Sequence, residues 1–157
     1  MKISKLSLLA ILLWIITVSV FAWFFVRGNT SAGSDNRNAI LLQTGERDLV
    51  LTEMRGLLIA THGILDGVNR GDLKQVAQAA RAGGMGSAAD VNPALMAKLP
   101  LPFKELGMSV HHAMDDIALA AENGKKAPEI IGMLTGTLSN CIACHASWQL
   151  QVDGKSE

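Results

Sequence analysis

The chain begins with a long apolar segment. Residues 6–26 form a run of 21 residues without a charged side chain. A helix of that length spans roughly 31 Å, which matches a hydrocarbon core of about 30 Å. Because the run is apolar on every face, it is not the pattern of a helix half-buried in a protein core. We therefore predict a single transmembrane helix within residues 1–27.

Two interpretations of this segment both place the rest of the chain outside the cytoplasm. Lys2 and Lys5 precede the run and Arg27 follows it, and this basic excess favours a cytoplasmic amino terminus for an uncleaved anchor. A cleaved signal peptide is the alternative, because the tripeptide ending at Ala22 has the small residues of a cleavage site. The apolar core of a signal peptide is usually about 7–15 residues long, and this run continues past Ala22, so the anchor is favoured.

A small, polar segment follows the apolar run. Residues 28–38, with the sequence GNTSAGSDNRN, are rich in turn-forming side chains and predict a flexible linker. Eleven such residues have an end-to-end distance of roughly 18 Å. The domain that follows is therefore expected to swivel on its anchor.

Apolar residues recur at three- and four-residue spacing through residues 39–150, the repeat of one helix face. Short connections join the predicted helices, apart from one loop with three prolines before the third helix. The pattern predicts an all-α fold, most economically a four-helix bundle, followed by a polar tail over residues 151–157. The four amphipathic helices are predicted over residues 38–68, 73–82, 102–123 and 128–150.

Charge and composition exclude several functions. The chain has 14 basic and 14 acidic residues, and no basic patch of the kind that binds nucleic acid is expected. The sequence also lacks a Ser/His/Asp set and a phosphate-binding loop. Asp115 and Asp116 are adjacent and are expected on a solvated helix face rather than in acid–base chemistry. We therefore predict a protein that is not an enzyme.

Both cysteines of the chain lie in one motif, CIACH, at residues 141–145. The C-x-x-C-H pattern is the attachment motif of c-type haem. Cys141 and Cys144 would each add to one vinyl group of the same porphyrin, and His145 would supply an imidazole ligand to the iron. A thioether bond does not dissociate, so the cofactor is retained in an open compartment. The motif predicts one covalently attached haem c.

Other uses of two closely spaced cysteines have less support. A thioredoxin-like C-x-x-C follows a strand and opens a helix, whereas this motif lies late in a predicted helix. A structural zinc site needs a further pair of cysteine or histidine ligands. His111 and His112 are the only other cluster, and adjacent residues on a helix point about 100° apart. A reactive dithiol remains possible but has no further signal in the sequence.

The stretch CIACHASWQL resembles the class II c-type cytochromes, which are cytochrome c prime and its low-spin, Met-ligated relatives. In that family the motif also lies near the carboxyl end of a four-helix chain and is followed by an aromatic and a basic residue. Trp148 matches the aromatic residue, whereas Gln149 stands where the family usually has Arg or Lys, so a guanidinium beside the haem is not implied. The resemblance covers residues 39–150 and implies a haem-binding four-helix bundle, with a homodimer by analogy.

The resemblance also implies a location, because haem is attached to these proteins on the far side of the membrane. We expect a single-pass protein of a bacterial inner membrane with its haem domain in the periplasm. If the apolar segment is cleaved, the alternative is a soluble periplasmic protein.

The sixth iron ligand is left open between Met54, His62 and none. A Met from the first helix binds iron in low-spin members of the family, and that position is empty or blocked in cytochrome c prime. Met54 is the candidate here, although a Met on an apolar helix face usually only fills the core, and Val50 stands where the family often has Arg. His62 lies at the edge of the face, and His111 and His112 are expected at the surface. The other residues of the predicted apolar face are Leu51, Leu58, Leu65 and Val68.

Three functions are consistent with these observations. The first is a membrane-anchored electron carrier that exchanges single electrons with redox partner proteins in the periplasm or inner membrane. The second is a module that binds NO or CO at an open sixth position. The third is an accessory haem subunit of a respiratory complex.

Overall fold

The computed structural model describes residues 4–88 and 92–154. The chain is mainly helical and has one apolar helix at its amino terminus, as predicted. A small three-stranded sheet was not predicted. In chain order the elements are α1 (Lys5–Arg27), β1 (Thr30–Ala32), β2 (Asn38–Leu42), α2 (Thr44–Arg70), α3 (Leu73–Ala82), α4 (Met85–Ala88), α5 (Pro93–Lys98), α6 (Leu101–Glu122), α7 (Ala127–Ser147) and β3 (Trp148–Val152).

Helix α1 has the length and composition of a membrane-spanning helix. None of its most apolar window is buried against the rest of the protein. A signal sequence has the same length and composition, so α1 is either an anchor or a signal segment. Ser4 caps its first turn by accepting a hydrogen bond from the Ser7 amide, with 3.1 Å between the two atoms.

Helices α2, α3, α6 and α7 pack one against the next. Helix α2 packs on α3, α3 on α6 and α6 on α7, whereas α2 and α7 make little direct contact. A first apolar cluster lies between α2, α3, α6 and α7, where Ile64, Val76, Ile117 and Ile130 are completely buried. The packing therefore leaves a gap between α2 and α7.

The buried face of α2 differs from the predicted one. Leu58 and Leu65, expected in the core, are 69% and 46% exposed. Helix α3 instead packs against a face with small residues, where a Cβ on Gly67 would come within 2.8 Å of the Val76 side chain. Close approach of α3 requires small residues, and these carry almost no hydrophobic signal in the sequence. The buried residues of α2 are Val50, Ala60, Ile64 and Gly67.

The three strands form one sheet in the order β1-β2-β3. Strand β2 pairs antiparallel with β1 and parallel with β3, so that Asn38 lies opposite Trp148 and Leu42 opposite Val152. Three predicted boundaries are therefore wrong: α2 begins at Thr44, α7 ends at Ser147, and the predicted polar tail starts inside β3. The pairing of β2 with β3 joins opposite ends of the domain, and no local sequence pattern reports it.

The sheet completes a second apolar cluster. Ile40 and Leu42 of β2 are completely buried and pack with Val50, Leu95 and Phe103. Met54, Cys144, Trp148 and Leu150 pack at the edge of this cluster. The sheet thus brings the start of α2 and the end of α7 to the same apolar core.

The segment predicted as a flexible linker is ordered and docks the end of α1 onto the domain. The Asn29 amide donates a hydrogen bond to the Lys98 carbonyl, at 2.7 Å, and the Asn29 side chain donates to the Leu41 carbonyl. The Lys104 ammonium lies 3.7 Å from the centre of the Phe25 ring and donates a hydrogen bond to the Phe25 carbonyl. These contacts join the end of α1 to the domain, at the segment where the sequence predicts a free swivel.

Gly28 permits the close approach at this junction. Its φ of +64° is in the left-handed region, which favours glycine. A Cβ there would lie 2.5 Å from the Lys98 carbonyl oxygen and 2.6 Å from the Pro100 nitrogen.

Replacing Gly28 with valine is expected to lower the free energy of unfolding by about 2–4 kcal/mol, since both backbone strain and overlap oppose the side chain. Thermal unfolding of the full chain in detergent, followed by circular dichroism, measures the effect. Gly45→Val is the control, because a Cβ at that exposed position meets nothing within 4 Å. Equal unfolding temperatures for the two variants would contradict tight docking of the junction.

Candidate functional site

The CIACH motif occupies the last turns of α7. Pro128 and Glu129 lie in the first turn of this helix, where the Glu129 carboxylate accepts a hydrogen bond from the Lys126 amide. Residues three and four apart share a helix face, so Cys144 and His145 lie one turn beyond Cys141. Both thiols are free and half-buried, and the His145 side chain is exposed.

Residues of α2, α6 and α7 line a cleft in the gap between α2 and α7, which we call the α2–α7 cleft. Its inner part has a cavity volume of about 100 Å³ and is lined by Cys141, Cys144, Met54 and Leu106, among others. A second part, of about 160 Å³, opens beside the sheet and shares Met54, Cys144 and His145 with the first.

Met54 lines both parts of the cleft. It is half-buried on α2 and packs against the second apolar cluster, as Cys144 and Trp148 do. All four residues predicted for the site, Met54 and the three of the motif, therefore border one cleft.

His62 is placed differently from Met54. Its side chain is exposed, and it lines neither part of the α2–α7 cleft. It lies two turns along α2 from Met54, near the carboxylate of Asp66. The structure thus separates the two predicted candidates for the sixth iron ligand.

His111 was expected at the surface and is instead buried, with 4% of its area exposed. Its Nδ1 lies 2.8 Å from the Gly83 carbonyl oxygen, and its Nε2 lies 3.2 Å from Glu53 Oε1. The hydrogen bond with Glu53 raises the pKa of His111, against the opposing effect of burial. Asp115, one turn further along α6, contacts Arg81 at 3.3 Å.

Sequence reasoning missed His111 because α6 is covered on several sides. Helix α6 packs against α3, α4 and α7, so its buried arc is wider than one apolar stripe. The His111–His112 doublet offered only a weak signal, and His112 is exposed as predicted.

Aromatic side chains form one wall of the cleft. The rings of Phe103 and Trp148 meet edge to face, with centroids 6.4 Å apart and an interplanar angle of 86°. The Asn140 amide donates a hydrogen bond to Ser109 Oγ, at 3.1 Å, which ties α7 to α6 beside Cys141. The motif is therefore held between α6 and the sheet.

Burial raises the pKa of both thiols, and the proximity of Cys141 adds to the effect at Cys144. A redox-active dithiol requires the opposite, a lowered pKa that provides a thiolate near neutral pH. The surroundings of the motif thus give no support to thioredoxin-like chemistry.

Within residues 4–88 and 92–154, no group of three or more His, Cys, Asp or Glu side chains is arranged to hold a metal ion. Comparison of the chain with protein-family models, curated proteins and solved structures found no match.

Proposed function

We propose that the chain is a membrane-anchored monohaem cytochrome c, similar to the class II c-type cytochromes, that carries single electrons on the periplasmic side of a membrane. One observation carries the proposal: Met54 and the CIACH motif, far apart in the sequence, border the same cleft. The CIACH motif by itself does not imply that a methionine lies near it, so the position of Met54 is an additional observation.

The residues of the cleft fit a covalently held haem. Cys141 and Cys144 would form the thioether bonds, and His145 and Met54 would bind its iron. When bound, the haem supplies an iron that alternates between the ferric and ferrous states. The Met54 thioether would raise the reduction potential relative to a second histidine.

The apolar walls of the cleft suit electron transfer. Phe103 is 8% exposed and packs on Trp148, and the half-buried Leu57 lines the far end of the cleft. Such side chains exclude water and hold their positions through packing, which limits reorganisation when the charge of the site changes. Redox partner proteins would exchange electrons at the open part of the cleft beside the sheet.

The four-helix bundle belongs to this proposal. Helices α2, α3, α6 and α7 correspond to the four predicted helices. Each of them packs against the next one in this order. The haem would fill the gap between α2 and α7 and so complete the bundle.

An absorption spectrum of the purified, reduced full chain, before and after addition of CO, tests the proposed function. We expect a low-spin spectrum that CO does not change. A spectrum without haem bands would overturn the proposal, and a high-spin spectrum that shifts with CO would favour the gas-binding alternative. As a further check, His145→Ala should lose the low-spin spectrum, while His112→Ala, at an exposed position outside the cleft, should keep it.

A further inference from the structure

We propose that Arg37 is a positioning residue for His145 and that the turn between β1 and β2 acts as a clamp on the end of α7. This inference rests on the proposed function, because it concerns how the chain would present the His145 imidazole. It gives a role to a segment that the sequence predicts to be a flexible linker.

The guanidinium of Arg37 bridges this turn and the carboxyl end of α7. Its Nη1 donates hydrogen bonds to the carbonyl oxygens of His145 and Trp148, at 3.3 and 3.5 Å. Its other side is held by Asp35, with 2.8 Å from Nε and 2.6 Å from Nη2 to the carboxylate. The Asp35 carboxylate in turn accepts a hydrogen bond from Gln149 Nε2, at 3.0 Å.

The end of a helix needs such partners. The last four carbonyl oxygens of an α-helix lack N–H donors within the helix, and here the chain turns directly into β3 at Trp148. Strand β3 pairs with β2, so the backbone beyond Trp148 joins the sheet and does not continue the helix. Arg37 supplies donors and a positive charge where the helix dipole is negative.

The turn is shaped for this contact. The Gly33 amide donates a hydrogen bond to the Arg37 carbonyl, at 2.8 Å. A Cβ on Gly33 would collide with the Gln149 side chain and with the Arg37 carbonyl oxygen. Asn36 adopts a φ of +66°, a conformation that Asn tolerates better than most residues.

Gln149 contributes to the same network of hydrogen bonds as Arg37. In the class II family a basic residue usually stands at that position, and its absence left no expected guanidinium near the haem. In this chain Gln149 binds Asp35, and Arg37 reaches the site from a distant segment and lines the open part of the α2–α7 cleft. A second arginine, Arg47, lines the same part.

The contribution of the clamp to folding is expected to be small. The Arg37 and Asp35 side chains are 34% and 46% exposed, and exposed ion pairs add little to stability. Residues that orient a metal ligand nevertheless affect the metal site strongly. The effect of Arg37 should therefore be seen in the ligation of the haem rather than in unfolding.

The test compares Arg37→Gln, Asp35→Asn and Arg37→Lys in the haem-loaded full chain. The readouts are the low-spin ferric electron paramagnetic resonance spectrum, which reports ligand orientation, and the reduction potential. We expect Arg37→Gln and Asp35→Asn to shift the low-spin signal in the same sense and to lose part of it, and Arg37→Lys to restore part of it. Arg70→Gln is the control, since Arg70 forms a similar exposed pair with Asp66 at the far end of α2.

An unchanged resonance spectrum in both Arg37→Gln and Asp35→Asn would overturn the inference. Opposite shifts in potential beside that unchanged spectrum would indicate a charge effect alone. If Arg37→Gln does not fold, Gln149→Leu removes a neighbouring bond of the clamp and should produce the same spectral shift. A wild-type chain without haem would instead overturn the proposed function itself.

Discussion

Replacing Cys144 with serine is expected to leave the chain with little or no covalently held haem. A serine hydroxyl does not form the thioether bond that the Cys144 thiol would make, and only Cys141 would remain to hold the group. Haem staining after denaturing electrophoresis measures the loss, since only covalently bound haem stays with the chain.

A matched control separates this effect from a change in folding. Ala143→Ser introduces the same hydroxyl at an exposed position of the same turn and should keep its full haem content. Circular dichroism should show equal helix content in the two variants. A full complement of covalent haem in Cys144→Ser would mean that the CIACH motif is assigned incorrectly.

The second large effect is expected from Met54→Leu. Leucine has nearly the same volume, so packing is kept while the sulfur is removed. The reduced protein should change from a low-spin form that ignores CO to a form that binds it, and the reduction potential should fall. CO titration of the reduced full chain, followed by absorption, measures this change.

Met108→Leu is the control for this variant. Met108 is half-buried on α6 and borders a different cavity, so its loss should leave the spectrum unchanged. A Met54→Leu protein that stays low-spin and indifferent to CO would show that Met54 only fills the core.

Features that depend on one continuous stretch of sequence could be predicted. The uncharged run of α1 and the CIACH motif each lie within one continuous stretch, and both were found without knowledge of the fold. The placement of Met54 near the motif followed from a family resemblance, and helical spacing alone did not distinguish it from other methionines.

Features that depend on distant partners were missed. Strand β2 reads as NAILL, a short apolar run that suits a helix start as well as a strand, and its partner β3 lies at the other end of the domain. The buried face of α2 was misassigned because α3 packs closely against Gly63 and Gly67, which have no side chain to signal the contact. His111 and Arg37 acquire their roles only from Glu53 and from the end of α7, which sequence spacing does not bring together.

The docked junction at Gly28 has a consequence for how partners reach the site. Phe103 lines the α2–α7 cleft and the next residue, Lys104, holds Phe25 at the end of α1, so the cleft lies at the end of the domain nearest α1. With α1 in a bilayer, the height and tilt of the cleft are set by this docking and not by the length of a tether. For the proposed electron carrier, encounters with a membrane-bound redox partner would then depend on lateral diffusion in two dimensions, because the segment between Gly28 and α2 is held in the sheet by β1 and β2.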